Sequence, residues 1–146
     1  MDIVKVIQWD MGHRVMNHRS VCKGLHGHRY KAEICLSGDI VSQEGVSEEG
    51  MVVDFSDIKR ISHEEVLNKL DHAFMVWQKD TDLIKYMQKT DDHKIVIVPF
   101  TPTAENVAKY IFDILNDKFE DTYGTGLKLS SVKLWETPTS YAIFSE

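Results

Sequence analysis

Hydrophobic and polar residues alternate near the start of the chain with the period of half-buried β-strands. The segment 3–9 is rich in β-branched and apolar residues and predicts a first strand. The segment 28–37 predicts a second strand, whose apolar side consists of Tyr30, Ala32, Ile34 and Leu36. Residues 10–25 show little periodicity and predict a long loop, which in a small domain usually carries function.

A helical period replaces this alternation from Ser56 onward. The apolar stripe of this first helix consists of Ile58, Ile61, Val66, Leu67 and Leu70. A short helix over 82–89 and a short strand over 95–98 follow. The clearest helix extends from about 102 to 119; Thr101 before Pro102 suits its N-cap, and Thr103 is a competing cap.

Two strands over 131–136 and 141–144 end the chain and form a hairpin. The hairpin must be antiparallel because its connection is too short for a crossover. The order of elements predicts the α+β class, an antiparallel sheet with helices on one face. The other face is predicted to be polar and to contact water or a partner subunit, on the evidence of Lys31, Glu33, Lys128 and Lys133.

The composition narrows the range of functions. The chain has 146 residues and no linker-like stretch, so we expect one domain over residues 1–146. Its net charge of -6 argues against a nucleic-acid partner and against an anionic membrane surface. No apolar run approaches the roughly 20 residues that span a bilayer. With two cysteines and no signal peptide, we expect a reducing, cytoplasmic location.

The segment His26-Gly27-His28 is the sharpest chemical signal. Residues i and i+2 of an extended segment point to the same side, so two imidazoles can bind one metal ion. His13 can supply a third ligand if the first two strands are neighbours. Three histidines with an open fourth position form a catalytic zinc arrangement. The alternative is a pair of histidines on a surface strand without a metal.

Cys22 precedes His26 by four residues and has three interpretations. It could be a fourth metal ligand, which would close the site. It could be a reactive thiolate whose pKa is lowered by the nearby cation. It could also be a buried small hydrophobe, although its neighbours Lys23 and Gly24 make deep burial unfavourable.

Carboxylates complete the candidate set. Asp71 next to His72 could orient the imidazole for proton transfer, although a histidine at a helix C-terminus also favours the helix dipole. Glu136 lies on an apolar strand face and could accept two hydrogen bonds from the guanidine-like edge of a guanine or pterin. It could equally be a solvated strand end. Glu105 suits the first turn of a helix for structural reasons.

Taken together, these residues resemble the family of 6-pyruvoyl- and 6-carboxy-tetrahydropterin synthases along nearly the whole chain. The three residues between Cys22 and His26 are similar to the spacing in the 6-carboxy enzymes, whereas animal-type pyruvoyl enzymes usually insert one more. The segments that carry the resemblance are Trp9–His13, Cys22–His28, Gly50–Phe55, Leu70–His72, Pro102–Asn106 and Trp135–Thr137.

The resemblance implies the tunnelling fold, in which a four-stranded antiparallel sheet packs two main helices on one face. It further implies that subunits join into a trimeric barrel, that two trimers form a hexamer, and that active sites lie at subunit interfaces. For the site it implies zinc (Zn²⁺) bound by His13, His26 and His28. The implied catalytic residues are Cys22, Asp71 and His72, and the implied substrate-binding residues are Glu136, Thr103 and Glu105.

The implied reaction converts 7,8-dihydroneopterin triphosphate into 6-carboxy-5,6,7,8-tetrahydropterin, with loss of acetaldehyde and triphosphate, in queuosine biosynthesis. The alternatives are a 6-pyruvoyl synthase, a zinc hydrolase and a zinc-binding module without catalysis. Lys23, Arg14 and Arg29 are candidate cations for the triphosphate. The chain departs from the family at Met11-Gly12, where alanines are usual, and in a longer region from Trp77 to Ile95.

Overall fold

The computed structural model describes residues 1–146 as a six-stranded mixed sheet with helices packed against it. The strand order is β4-β3-β1-β2-β5-β6. The strands are β1 (Asp2–His13), β2 (His26–Gly38), β3 (Ala73–Trp77), β4 (Ile95–Val98), β5 (Leu127–Thr137) and β6 (Ser140–Ser145). The helices are α1 (Phe55–Ser62), α2 (Asn68–Leu70), α3 (Thr81–Met87) and α4 (Ala104–Tyr123), and a π-helical turn (His63–Leu67) joins α1 to α2.

Four of the strands form the antiparallel part that the sequence predicts, in the order β1-β2-β5-β6. The prediction of a four-stranded antiparallel sheet is nevertheless wrong, because β3 pairs parallel with β1, and β4 pairs parallel with β3. Strand β3 is short, and its adjacent residues Met75 and Val76 are both buried, on opposite faces. It therefore lacks the alternation by which half-buried strands are predicted.

The main core lies between one face of the sheet and α1, α2 and α4. The apolar side of β2 is fully buried there, as the alternation predicts. Helix α4 begins after Thr103, whose side chain accepts a hydrogen bond from the Asn106 N–H, so Thr103 rather than Thr101 is the N-cap. The Asn106 side chain in turn donates to the Thr101 carbonyl, which fixes the chain entering the helix.

The region from Trp77 to Ile95 builds a small second core on the opposite face of the sheet. Here α3 packs Leu83 and Met87 against Val76. Asp80, only 3% exposed, accepts two hydrogen bonds of 2.5 Å from Arg14, the residue that follows β1. The prediction of helices on one face therefore holds for α1 and α4 and is wrong for α3.

The outer face of the antiparallel strands is mixed rather than simply polar. Lys31, Glu33 and Lys133 lie on this face, as predicted, because the register of β2 and β5 pairs Glu33 with Lys133. The exposed side chains of Val6 and Ile143 lie on it too.

No helix of the chain combines the length and apolar character that a membrane span requires.

Gly12 lies against the ring of Phe74, where β1 pairs with β3. The register places Gly12 beside Phe74, and a Cβ atom on Gly12 would lie 2.4 Å from the Phe74 ring. A side chain at position 12 therefore cannot fit without moving the ring. The glycine at position 12 is thus matched by a bulky neighbour on β3.

We expect Gly12→Ala to lower the free energy of unfolding by about 1–3 kcal/mol, because the added methyl group overlaps the Phe74 ring. Urea denaturation of the four members of a double-mutant cycle with Phe74→Ala measures this. In the Phe74→Ala background the same methyl group has room, so its cost should largely disappear. Equal costs in both backgrounds would contradict this account.

Candidate active site

Three histidines converge where β1 and β2 end. The antiparallel register places His13 opposite His26 and Met11 opposite His28. One ring nitrogen of each of the three histidines lies within 4.8 Å of the others, so His13, His26 and His28 could hold a metal ion. The Cys22 sulfur does not belong to this group of mutually close donor atoms.

Backbone carbonyl groups fix the tautomers of two of these rings. His13 Nδ1 is 2.6 Å from the Pro102 carbonyl oxygen, and His26 Nδ1 is 2.8 Å from that of Gly24. Because a carbonyl oxygen only accepts, each Nδ1 carries the proton. In the neutral imidazoles, Nε2 therefore keeps its lone pair for a metal, with the ring orientation held by the other nitrogen.

The donor set fits a divalent transition metal. His13 Nε2 is buried and has no hydrogen-bond partner, an unfavourable state that a bound cation would relieve. Burial lowers the pKa of His13 and of His28, which favours the neutral form that binds metals. Three imidazole nitrogens suit zinc among several first-row ions.

Glu136 faces this histidine cluster from β5. Its Oε1 lies 3.6 Å from His13 Nε2 and 4.0 Å from His28 Nε2, and its side chain is 26% exposed. Tyr30 backs the cluster, with its ring edge-on to His13 and His28 and stacked on Trp9. Burial, with a smaller contribution from Glu136, raises the pKa of Tyr30 above its usual range.

A cavity of about 260 Å³ opens beside His13 and His26. Its lining also includes the candidate residues Cys22, Thr103, Glu105 and Glu136. Cys22 is half-buried in a short turn (Val21–Lys23), and its carbonyl accepts a hydrogen bond from the Val15 N–H. One cavity therefore brings together the thiol, two of the three histidines and the predicted substrate-binding residues.

Asp71 and His72 lie apart from that cavity. His72 Nδ1 is 3.0 Å from Asp71 Oδ1, and a positive φ of 58° at His72 accompanies this contact between adjacent side chains. The His72 side chain is 79% exposed and lines a different, open concavity next to Gly27 and His28. A single chain therefore does not bring His72 and Cys22 together.

The three candidate cations for a triphosphate differ in whether their charge is already paired with a carboxylate. Arg14 is held by buried Asp80, and Arg29 Nη1 lies 2.8 Å from an Asp10 carboxylate oxygen. Lys23 makes no ion pair and ends the turn that carries Cys22.

Sequence reasoning missed the supporting roles of Tyr30 and of the Pro102 carbonyl, because neither follows from residue type or spacing.

The model of the 6-pyruvoyl tetrahydropterin synthase family matches residues 2–146. This chain belongs to that family. It is 37% identical over 147 residues to a protein of Haemophilus influenzae named 6-carboxy-5,6,7,8-tetrahydropterin synthase, a match that covers 99% of this chain and 98% of the relative. A protein of the same name from Aquifex aeolicus is 31% identical, again over 99% of this chain and 98% of the relative.

Solved structures share the fold. An uncharacterised protein from Wolinella succinogenes superposes with a TM-score of 0.79 at 24% identity, covering 100% of this chain and 98% of that one. The 6-pyruvoyl tetrahydropterin synthase of Plasmodium vivax superposes with a TM-score of 0.69 at 19% identity, with the same coverage. The six-stranded α+β fold is thus that of the family.

We expect His13→Ala to weaken zinc binding at least ~100-fold, because it removes a buried, pre-oriented donor. Competition with a chromophoric chelator measures the Kd, and His93→Ala, which alters an exposed histidine outside the cluster, is the matched control. Equal zinc affinities for the two variants would mean that the three histidines do not form the metal site.

Proposed function

We propose that this protein is a zinc-dependent 6-carboxy-5,6,7,8-tetrahydropterin synthase that acts on 7,8-dihydroneopterin triphosphate, in the cytoplasm and in queuosine biosynthesis. The observation that carries the proposal is the cluster of His13, His26 and His28, which borders a cavity containing Cys22 and Glu136. The names of the relatives and the spacing of Cys22 and His26 favour the 6-carboxy reaction. Residues 1–146 form the single pterin synthase domain in this proposal.

The three histidines would hold the zinc through ring nitrogens that lie within 4.8 Å of one another. Bound zinc supplies a Lewis acid that lowers the pKa of the substrate's side-chain hydroxyl groups. The Pro102 and Gly24 carbonyls keep His13 and His26 in the ligating tautomer. This preorganisation limits the rearrangement that substrate binding requires.

Cys22 acts as the base on one side of the substrate. Its half-buried position in the cavity beside His13 and His26 allows Sγ to accept a proton from a side-chain carbon. Glu136 accepts hydrogen bonds from the 2-amino and ring N–H groups of the pterin. Thr103 and Glu105, at the start of α4, line the same cavity and complete the substrate contacts.

Asp71 and His72 act on the opposite side of the substrate, in a site completed by a neighbouring subunit. Within one chain His72 and Cys22 line different cavities, and the sheet ends in unpaired edges at β4 and β6. Joining such edges closes a sheet into a barrel and removes its exposed backbone groups. We propose the trimeric barrel, paired into a hexamer, as the active form.

The second candidate function is 6-pyruvoyl tetrahydropterin synthesis, because the family model carries that name and so does the Plasmodium vivax protein. Mass spectrometry of the product from 7,8-dihydroneopterin triphosphate separates the two. A 6-carboxy product with free acetaldehyde supports the first function, and a 6-pyruvoyl product supports the second. Absence of any pterin product from zinc-loaded protein would overturn both.

We expect Cys22→Ala to retain zinc while lowering turnover at least ~100-fold, because the thiol takes part in proton transfer and not in metal binding. Metal analysis and turnover are measured on the same preparation. Cys35→Ala changes the other cysteine, which lies half-buried on β2, and should leave both unchanged. Loss of zinc from Cys22→Ala would instead indicate a closed Cys-His₃ site.

We expect Cys22→Ala and His72→Ala, each inactive alone, to regain about a quarter of wild-type activity when equal amounts are co-assembled. This fraction follows if each site takes Cys22 from one subunit and His72 from its neighbour, with random mixing. Each variant alone, dissociated and reassembled in the same way, is the control. Activity that stays at background in the verified mixture would place both groups in one chain's site.

A further inference from the structure

A fourth histidine lines the cavity beside the metal-binding cluster. The lining includes His18 together with Cys22, His13 and His26. His18 is half-buried, and it is not one of the three histidines whose donor atoms lie within 4.8 Å of one another. Its ring therefore borders the cavity without belonging to the metal-binding group, and it is free to contact a ligand.

Backbone hydrogen bonds hold the loop that carries His18. The Val15 N–H donates to the Cys22 carbonyl over 2.8 Å, and the His18 N–H donates to the Val15 carbonyl over 2.9 Å. Val15 therefore links His18 to the short turn that carries Cys22. One hydrogen-bonded loop thus presents both the imidazole and the thiol to the same cavity.

The His18 ring has the opposite tautomer to the rings of His13 and His26. The backbone nitrogen of Ser20 lies 3.0 Å from His18 Nδ1. A backbone N–H only donates, so Nδ1 accepts this hydrogen bond and the ring proton is on Nε2. In His13 and His26 the proton is on Nδ1, which faces a carbonyl oxygen. His18 thus offers a hydrogen-bond donor, whereas the other two rings offer lone pairs to a metal.

A donor of this kind suits the charge of the cavity. The lining contains no lysine or arginine, and it contains the carboxylates of Glu105 and Glu136. A ligand with negatively charged oxygens would therefore face two anionic side chains there. A pre-oriented N–H group that donates to one of these oxygens offsets part of the repulsion.

We propose that His18 is a further substrate-binding residue, whose Nε2–H donates a hydrogen bond to an oxygen of the substrate's hydroxylated and phosphorylated side chain. This inference rests on the proposed function. In that function Cys22 acts on a carbon of the side chain, and His18 belongs to the same loop as Cys22. The side chain is therefore the part of the substrate that His18 meets.

Two substitutions of His18 separate the donor from the support of the loop. In His18→Asn, the side-chain oxygen replaces Nδ1 as the acceptor for the Ser20 N–H, but no donor remains near the position of Nε2. In His18→Gln, the side-chain amide places an N–H near the position of Nε2, but no acceptor remains at Nδ1. A donor to the substrate is retained by Gln, and support of the loop is retained by Asn.

We expect His18→Asn to lower kcat/KM for 7,8-dihydroneopterin triphosphate about 10-fold or more, because one hydrogen bond to a charged oxygen is lost. His18→Gln should stay closer to wild type. Both variants should keep the zinc content of wild type, and His18→Asn should also keep its Tm. His93→Asn makes the same change at an exposed histidine outside the cavity and should alter none of these values.

Binding is measured apart from turnover in zinc-loaded Cys22→Ala, where adding His18→Asn should raise the Kd for the substrate by about the same factor. Nitrogen NMR of the histidine rings in wild type reports the tautomer directly and should show the proton of His18 on Nε2. A proton on Nδ1 would overturn the inference. A variant series in which Asn resembles wild type and Gln loses activity and Tm would show that His18 only supports the loop.

Product formation by wild type separates failure of this inference from failure of the proposed function. Equal kcat/KM in wild type and His18→Asn, with pterin product formed by both, would overturn the role of His18 and leave the function supported. No pterin product from zinc-loaded wild type, together with no binding of the substrate to Cys22→Ala, would reject the function, and the role of His18 would be rejected with it.

Discussion

The register between β1 and β2 is the constraint on which the site depends. It pairs His13 with His26 and Met11 with His28, so that three imidazoles project from two neighbouring strands on one face. Because side chains alternate along a strand, a slip by one residue would turn the ligands of one strand to the opposite face. Gly27 supports the close pairing, since a Cβ there would lie 3.1 Å from the Met11 carbonyl oxygen.

Contacts with other parts of the chain keep the histidine-bearing strand ends in place. The buried side of β2 continues from the histidines through Tyr30 into the main core, so the burial of apolar residues selects the face on which the ligands lie. The chain segment before α4 supplies the Pro102 carbonyl that orients His13. Arg14 and Asp80 hold the chain just after His13 against α3. Three contacts thus determine the position of His13: the main core, the segment before α4, and the pairing of Arg14 with Asp80.

Sequence periodicity predicted the elements whose residues are buried on one face. These include the second strand, the final hairpin and the long helix, and the structure confirms them. It missed β3, which is buried on both faces, and the extension of β1 through Gly12 to His13. The layer formed by α3 depends on contacts distant in sequence, as between Arg14 and Asp80. Spacing indicated the three histidines, but it could not reveal that His72 and Cys22 face different cavities.

The separation of Cys22 from His72 has a chemical consequence in the proposed assembly. A thiol and an imidazole in direct contact tend to form an ion pair, which alters both as proton-transfer groups. In the proposed site the two groups come from different subunits, so each would approach the substrate from its own side without forming that pair. A site with these groups on two subunits forms only when the sheet edges join. Assembly and the capacity for proton transfer would then depend on the same interface.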